Sequence, residues 1–401
     1  MTTELDTWDL FSNSGTAKPR DPALDWPEPP PWRARHQGGS SAAGVAPDQA
    51  YWQQIKGLEE IKAKTLRRGA VFRLPRKDNN QLTDEAERVR LAVNAAIHLR
   101  RPLLVTGNPG SGKTSLAYAI AWELNLGPVL HWAITPRTRL IEDGLYLYDA
   151  LGRLHDSQYA GSRPLGAQQP LPSQADFPVA DYITLGPVGT AFLPFQRPRV
   201  LLIDEIDKSD LQLPNELLNL LEEGEFPIPQ LIREAKRQHS KQGQAEPVPF
   251  PVRTHDPGAV ATIPDGRVRC NEFPIVVMTS NRERDFPAAF HRRCIRVTMP
   301  QPTDQAAFQV LVREHFKHTQ RGDIADATPV IEEILQFIEN TNKQDRATDQ
   351  LLNALHLLTL PGSAPTDKQI ATLRKVLYKG LRDPDDPLTD PNERDDPADA
   401  T

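Results

Sequence analysis

The sequence predicts an α/β fold: a mainly parallel sheet covered by helices on both faces, followed by an all-helical second domain. Short apolar runs of strand length recur at 102–106, about 128–134, 199–204, 274–280 and 295–299, with helical segments between most of them. The residues Gly107-Asn108-Pro109-Gly110-Ser111-Gly112-Lys113-Thr114 fit G-x-x-x-x-G-K-[ST] and join the first run to a helix. After Pro300 the strand pattern stops, and helical segments follow at about 303–318, 328–341, 347–360 and 366–381.

Taken in order, residues 1–50 are rich in Pro, Ser, Gly and Ala and predict a disordered N-terminal segment. Trp8, Leu10, Phe11, Trp26 and Trp32 interrupt its polarity, which fits either a short docking segment or a tail draped on its own domain. The α/β domain is expected over 51–300. Its first helix begins near Thr83, with Asp84 and Glu85 suited to the positive end of the helix dipole, and continues through Val89, Leu91, Ala92 and Ala96. The helical domain is expected over 301–381, with breaks at Ala327-Thr328-Pro329 and Pro361-Gly362-Ser363-Ala364-Pro365. Residues 382–401 carry eight acids against Arg382 and Arg394 and predict an acidic disordered tail.

That tail holds the whole formal charge of −6; the remainder balances 45 basic against 45 acidic residues. A neutral core argues against a nucleic-acid track. No apolar run approaches the roughly 18 residues of a membrane span, and the start lacks a signal-peptide plan, so a cytoplasmic protein is expected. Cys270 and Cys294, the only cysteines, are too few for a disulfide framework or a zinc cluster.

The chemistry concentrates at the ends of the apolar runs. In the glycine-rich loop, backbone N–H groups can face phosphate oxygens while the helix that follows adds its dipole. Lys113 reaches the outer phosphates and Thr114 ligates Mg2+, and the nucleotide-contacting stretch runs from Gly107 through Ser115. Arg199-Val200-Leu201-Leu202-Ile203-Asp204-Glu205 is an apolar strand ending in two acids, where Asp204 holds Mg2+ and Glu205 polarises the attacking water. Phe273 to Asn281 is a second buried run with a polar end, from which Asn281 can orient the same water. Arg292 and Arg293 suit transition-state charge on a phosphate. These assignments imply ATP and Mg2+ as cofactors.

The order of these motifs resembles the AAA+ ATPases across about residues 55–381, with the P-loop NTPase sheet of that superfamily and its helical lid. Leu202-Ile203-Asp204-Glu205-Ile206-Asp207-Lys208-Ser209, Thr279-Ser280-Asn281 and Ala289-Phe290-His291-Arg292-Arg293-Cys294 look like the MoxR lineage. Tyr146 to Leu154 is similar to MoxR ATPases found beside von Willebrand factor A partners in bacterial conflict systems. The resemblance implies a homo-oligomeric ring, commonly a hexamer, in which an arginine of one subunit completes its neighbour's site; Arg293 is the first choice and Arg292 the second. It also implies a sensor 2 arginine at the start of a lid helix, the place of Arg346, although Asp345-Arg346-Ala347 departs from the commoner Ser-Pro-Arg-Ala form.

Residues 155–198 look like the loop-rich insert of MoxR relatives. The runs 259–263 and 267–269, joined by Pro264-Asp265-Gly266, predict a hairpin. Two functions follow: an ATP-hydrolysing remodeller of a partner protein, or a nucleotide-dependent switch or nucleic-acid motor on the same core. Glu205 favours hydrolysis, because a pure switch has little need for a water-polarising acid.

Overall fold

The computed structural model describes residues 8–17, 26–33, 47–56, 63, 67–77, 79, 81–161, 177–195, 197–242 and 246–300. The expected helical domain, the acidic tail and Arg346 lie outside these residues. The elements below all belong to one compact unit within 1–107 and 112–300.

Five parallel strands form the central sheet: β1 (Leu103–Thr106), β2 (Leu130–Ala133), β5 (Val200–Asp204), β10 (Ile275–Ser280) and β11 (Ile295–Thr298), in the order β11-β1-β10-β5-β2. Every residue of β10 is buried, as expected for a central strand covered on both faces, whereas the edge strand β11 alternates half-buried and exposed residues. The registers Leu103↔Val277 and Val277↔Leu202 align β1, β10 and β5, so their carboxyl ends lie along one edge of the sheet. In open α/β sheets that edge is where ligands bind.

Helix α1 (Pro47–Lys56) precedes this sheet, and α2 (Asp84–Leu99) leads into β1. Thr83 caps α2 by accepting the Ala86 N–H at 3.2 Å, three acids occupy its first turn, and Arg100 closes it in the left-handed conformation. Its buried face, Ala86, Val89, Val93, Ala96 and Ile97, follows the helical period. Helix α3 (Lys113–Glu123) starts where the glycine loop ends and is buried along most of its length.

The region between β2 and β5 holds more than loops. β3 (Tyr146–Tyr148), α4 (Ala150–Gly161), β4 (Ile183–Leu185) and α5 (Pro187–Ala191) occupy it, and β3 and β4 begin a second sheet that continues through two later strands, Pro249–Arg253 and Val260–Pro264. Gly189 is needed there, since a Cβ would lie 2.0 Å from the Leu145 carbonyl oxygen. After β5 come α6 (Leu213–Glu223), β6 (Glu225–Pro227), α7 (Pro229–Gln242), β7 (Pro249–Arg253), β8 (Val260–Pro264), β9 (Arg267–Arg269) and α8 (Ala288–Arg293).

The hairpin expected across Asp265-Gly266 does not form. Both residues take the positive φ of a tight turn, 51° and 73°, but β8 pairs with β7 and β9 pairs with β6. Longer-range bonds decide this: the Asp265 carboxylate accepts the Val248 N–H at 2.9 Å, and Ile228 N–H donates to the Gly266 carbonyl at 2.9 Å. The antiparallel partners of the two flanking strands are therefore β7 for β8 and β6 for β9.

Residues 8–17 contribute side chains to the core, which corrects the expectation of disorder there, and Trp26 is a partly buried residue packed against that core. Phe11 is 0% exposed and packs with Leu10 among the residues of α2 and α3. The Asn94 carboxamide bonds both ways, accepting the Phe11 N–H at 2.9 Å and donating to its carbonyl at 2.8 Å. Ser12 donates through its amide and its hydroxyl to Glu123, and Asn13 accepts the Leu74 N–H at 2.6 Å. Farther on, Trp26 lies against the Arg100 guanidinium, 5.5 Å from the ring centre. Of the two readings for this segment, draping on its own domain describes these residues.

Candidate nucleotide site

The loop between β1 and α3 uses backbone conformations that suit glycine. Gly107, Gly110 and Gly112 have φ of 151°, 74° and 85°. A Cβ on Gly112 would also meet the Phe72 ring at 2.9 Å. The Ser111 hydroxyl is buried with no hydrogen-bond partner among the described residues, and Lys113, only 7% exposed, donates to the Gly107 carbonyl at 2.8 Å. Burial lowers the Lys113 pKa, against the opposing pull of Asp207, Asp204 and Glu205. A buried cation at the head of α3, next to glycine-enabled turns, fits a phosphate group.

The acids arrive from the neighbouring strands. Thr114 Oγ1 donates to Asp204 Oδ1 at 3.0 Å, joining α3 to the end of β5 across 90 residues of sequence. Thr279 donates to the same oxygen at 2.6 Å, and His131 Nε2 lies 3.2 Å from Oδ2. Burial alone would raise the Asp204 carboxyl, but hydrogen bonds from His131, Thr279 and Thr114 outweigh it and hold the group below its ordinary value. A hydroxyl and a carboxylate in contact are hard oxygen donors of the kind that hold Mg2+ with water completing its shell. The donor set fits that ion.

Glu205 sits at φ 60°, ψ 48°, a left-handed conformation that costs a non-glycine residue roughly 1–2 kcal/mol. Its N–H donates to Thr279 Oγ1 at 2.8 Å, and its carboxylate accepts from Lys208 at 2.7 Å. Asn281 follows β10, where its N–H donates to Asp207 Oδ2 at 2.8 Å. The loop beyond is pinned by Arg284, which donates to the Ser209 carbonyl at 2.6 Å.

The paired arginines differ. Arg293 is bonded to Glu222 of the same chain through its Nε. Arg292 is exposed, and its side chain makes no hydrogen bond among the described residues; only its carbonyl is engaged, by Arg101 at 3.2 Å. The structure thus brings Lys113, Thr114, Asp204 and Glu205 to the carboxyl edge of the sheet, with Asn281 following β10 at that edge.

Sequence reasoning missed His131 and Thr279. Thr279 was visible as a polar residue closing an apolar strand, but nothing local marks which neighbouring strand its hydroxyl meets.

A glycine-rich loop between the first strand and a helix, with acids at the end of a parallel strand two places away, settles the fold class. It is a P-loop NTPase fold. No protein-family model and no curated protein sequence matches the chain. Among solved structures it is similar to C. elegans PCH-2, at 15% identity over 79% of this chain and 71% of that one, with a TM-score of 0.34. It is also similar to NtrX from Brucella abortus in complex with ADP, at 14% identity, 80% and 60% coverage and a TM-score of 0.36. The FIGL-1 AAA domain in complex with ADP shows 14% identity, 71% and 68% coverage and a TM-score of 0.30. The chain thus spans 60% of the length of NtrX. At these scores the likenesses carry no functional argument. Among the described residues no helix is long and apolar enough to cross a membrane.

Proposed function

We propose that this chain is an AAA+ ATPase of the MoxR lineage, which binds ATP with Mg2+, hydrolyses it and uses the cycle to remodel or activate a partner protein. The observation that supports this most is the contact between Thr114 and Asp204, which unites the phosphate loop with the acidic strand end. Lys113 and the loop through Ser115 bind the phosphates, and Thr114 with Asp204 holds Mg2+, whose charge offsets that of the phosphates. Glu205 accepts a proton from the attacking water once its carboxylate leaves Lys208, and Asn281 orients that water. Arg293, or Arg292 in its place, neutralises the γ-phosphate of an adjoining subunit in a ring, probed by subunit mixing below, and Arg346 contributes from the lid. A partner carrying a von Willebrand factor A domain is the client class suggested by the Tyr146 to Leu154 resemblance.

The test is a Mg2+-dependent ATPase assay with two variants. Lys113→Ala should lose tight binding of a fluorescent ATP analogue. Glu205→Gln should bind it and hydrolyse ATP very slowly, because an amide cannot take the proton. Unchanged affinity in the first, or unchanged turnover in the second, overturns the reading. Strong stimulation by DNA would favour a nucleic-acid motor instead.

A further inference from the structure

Strand β10 lies between the strand that feeds the phosphate loop and the strand that carries the acids. Val105 pairs with Thr279 on one side and Ile203 pairs with Met278 on the other, so Thr279 stands level with the ends of both neighbours. Its residue is 1% exposed. Being β-branched in a strand, it has few χ1 choices, and no bulk water competes for its hydroxyl.

That hydroxyl makes two bonds of opposite sense. The Glu205 N–H can only donate, so Thr279 Oγ1 accepts it at 2.8 Å; its single proton is then directed to Asp204 Oδ1 at 2.6 Å. Asp204 Oδ1 is an acceptor, so the two bonds together fix the orientation of the Thr279 hydroxyl. Asp204 Oδ1 also receives Thr114, while Oδ2 faces His131. The Glu205 amide needs a partner in its own right, because the left-handed conformation takes it out of the strand ladder.

We infer that Thr279 is a positioning residue for nucleotide hydrolysis: one buried hydroxyl fixes the Asp204 carboxylate and the left-handed Glu205 backbone together. The metal-holding and water-polarising acids are consecutive in sequence, yet their side chains must point to different tasks. Thr279 sets that divergence from the neighbouring strand. This rests on the hydrolytic reading proposed above.

The experiment uses the full chain with three substitutions. Thr279→Val keeps the shape and removes the hydroxyl, Thr279→Ser keeps the hydroxyl, and Thr279→Cys keeps the size with a poor donor and acceptor. Fluorescent ATP-analogue binding without Mg2+, kcat, KM and the half-saturating Mg2+ concentration are measured for each. Thr279→Val should bind the analogue within about twofold of wild type yet lose roughly tenfold or more in kcat and require more Mg2+. Thr279→Ser should stay within about threefold of wild type in kcat. Should Thr279→Val not melt cooperatively, the Ser and Cys pair decides: slow Cys beside fast Ser supports the inference, and equal rates overturn it. A fast Thr279→Val, or a Thr279→Ser as slow as Val, also overturns it while leaving the ATPase reading intact. Normal analogue binding by the parallel Lys113→Ala control overturns that reading, and this inference with it.

Discussion

Replacing Phe11 by Ala tests whether the N-terminal strap is part of the fold. The ring is 0% exposed and packs in the core that contains Val89, Val93 and Ala96 of α2 and Leu116 and Ile120 of α3. Truncating a fully buried Phe removes its transfer free energy and leaves a cavity, a loss of about 3–5 kcal/mol. The carboxamide bonds between Asn94 and the Phe11 backbone hold the strap against α2, so the cavity cannot close by a simple shift of the chain. At roughly 2–4 °C per kcal/mol for a domain of this size, the melting temperature should fall by roughly 6–20 °C. Thermal melting followed by circular dichroism measures this, with Trp8→Ala as the control. Trp8 is 44% exposed and, among the described residues, its ring stacks only on His98, so its loss should move the midpoint far less. A Phe11→Ala midpoint within about 2 °C of wild type, or no lower than that of Trp8→Ala, would refute the strap as a core element.

Gly112→Ala forces a side chain onto φ 85° and into the Phe72 ring, and should weaken binding of a fluorescent ATP analogue by roughly tenfold while the fold survives; unchanged affinity would count against the loop geometry. Asp256→Ala strands Arg199, 0% exposed and bonded to Asp256 at 2.8 and 3.2 Å, and should cost about 3–5 kcal/mol in urea unfolding. The same pair sets a pH dependence. Burial alone would raise the Asp256 carboxyl, but Arg199 and Tyr51 hold it below its ordinary 3.8, so its stabilisation is present above that value and is lost as pH falls through the folded one. Between about pH 5 and pH 3 the melting temperature of wild type should therefore drop more steeply than that of Asp256→Asn, and parallel curves would contradict the pairing. Mixing inactive Arg293→Ala with inactive Lys113→Ala subunits should restore some ATPase activity if the arginine acts across a subunit boundary; mixed assemblies without activity would rule that out.

The parts legible in the sequence were those set by short-range physics. Apolar runs located the five strands of the central sheet to within two residues, since burial on both faces demands uninterrupted hydrophobic residues over a strand's length. Thr83 announced the start of α2 because its hydroxyl bonds an amide three residues away. The glycine loop was legible because its function resides in its own backbone. Partner choice between distant segments was not. Asp265-Gly266 has the turn conformation its residues favour, yet β6 and β7, reached through bonds to Ile228 and Val248, decide where the flanking strands pair. The polar composition of residues 1–50 hid a strap whose core contacts need Asn94 and Glu123, 83 and 111 residues away. Thr279 and Asp204 meet only because β10 lies beside β5, 75 residues apart in the chain. Local propensity specifies which elements form, while the tertiary structure decides which side chains share one oxygen, because that depends on where separate strands come together.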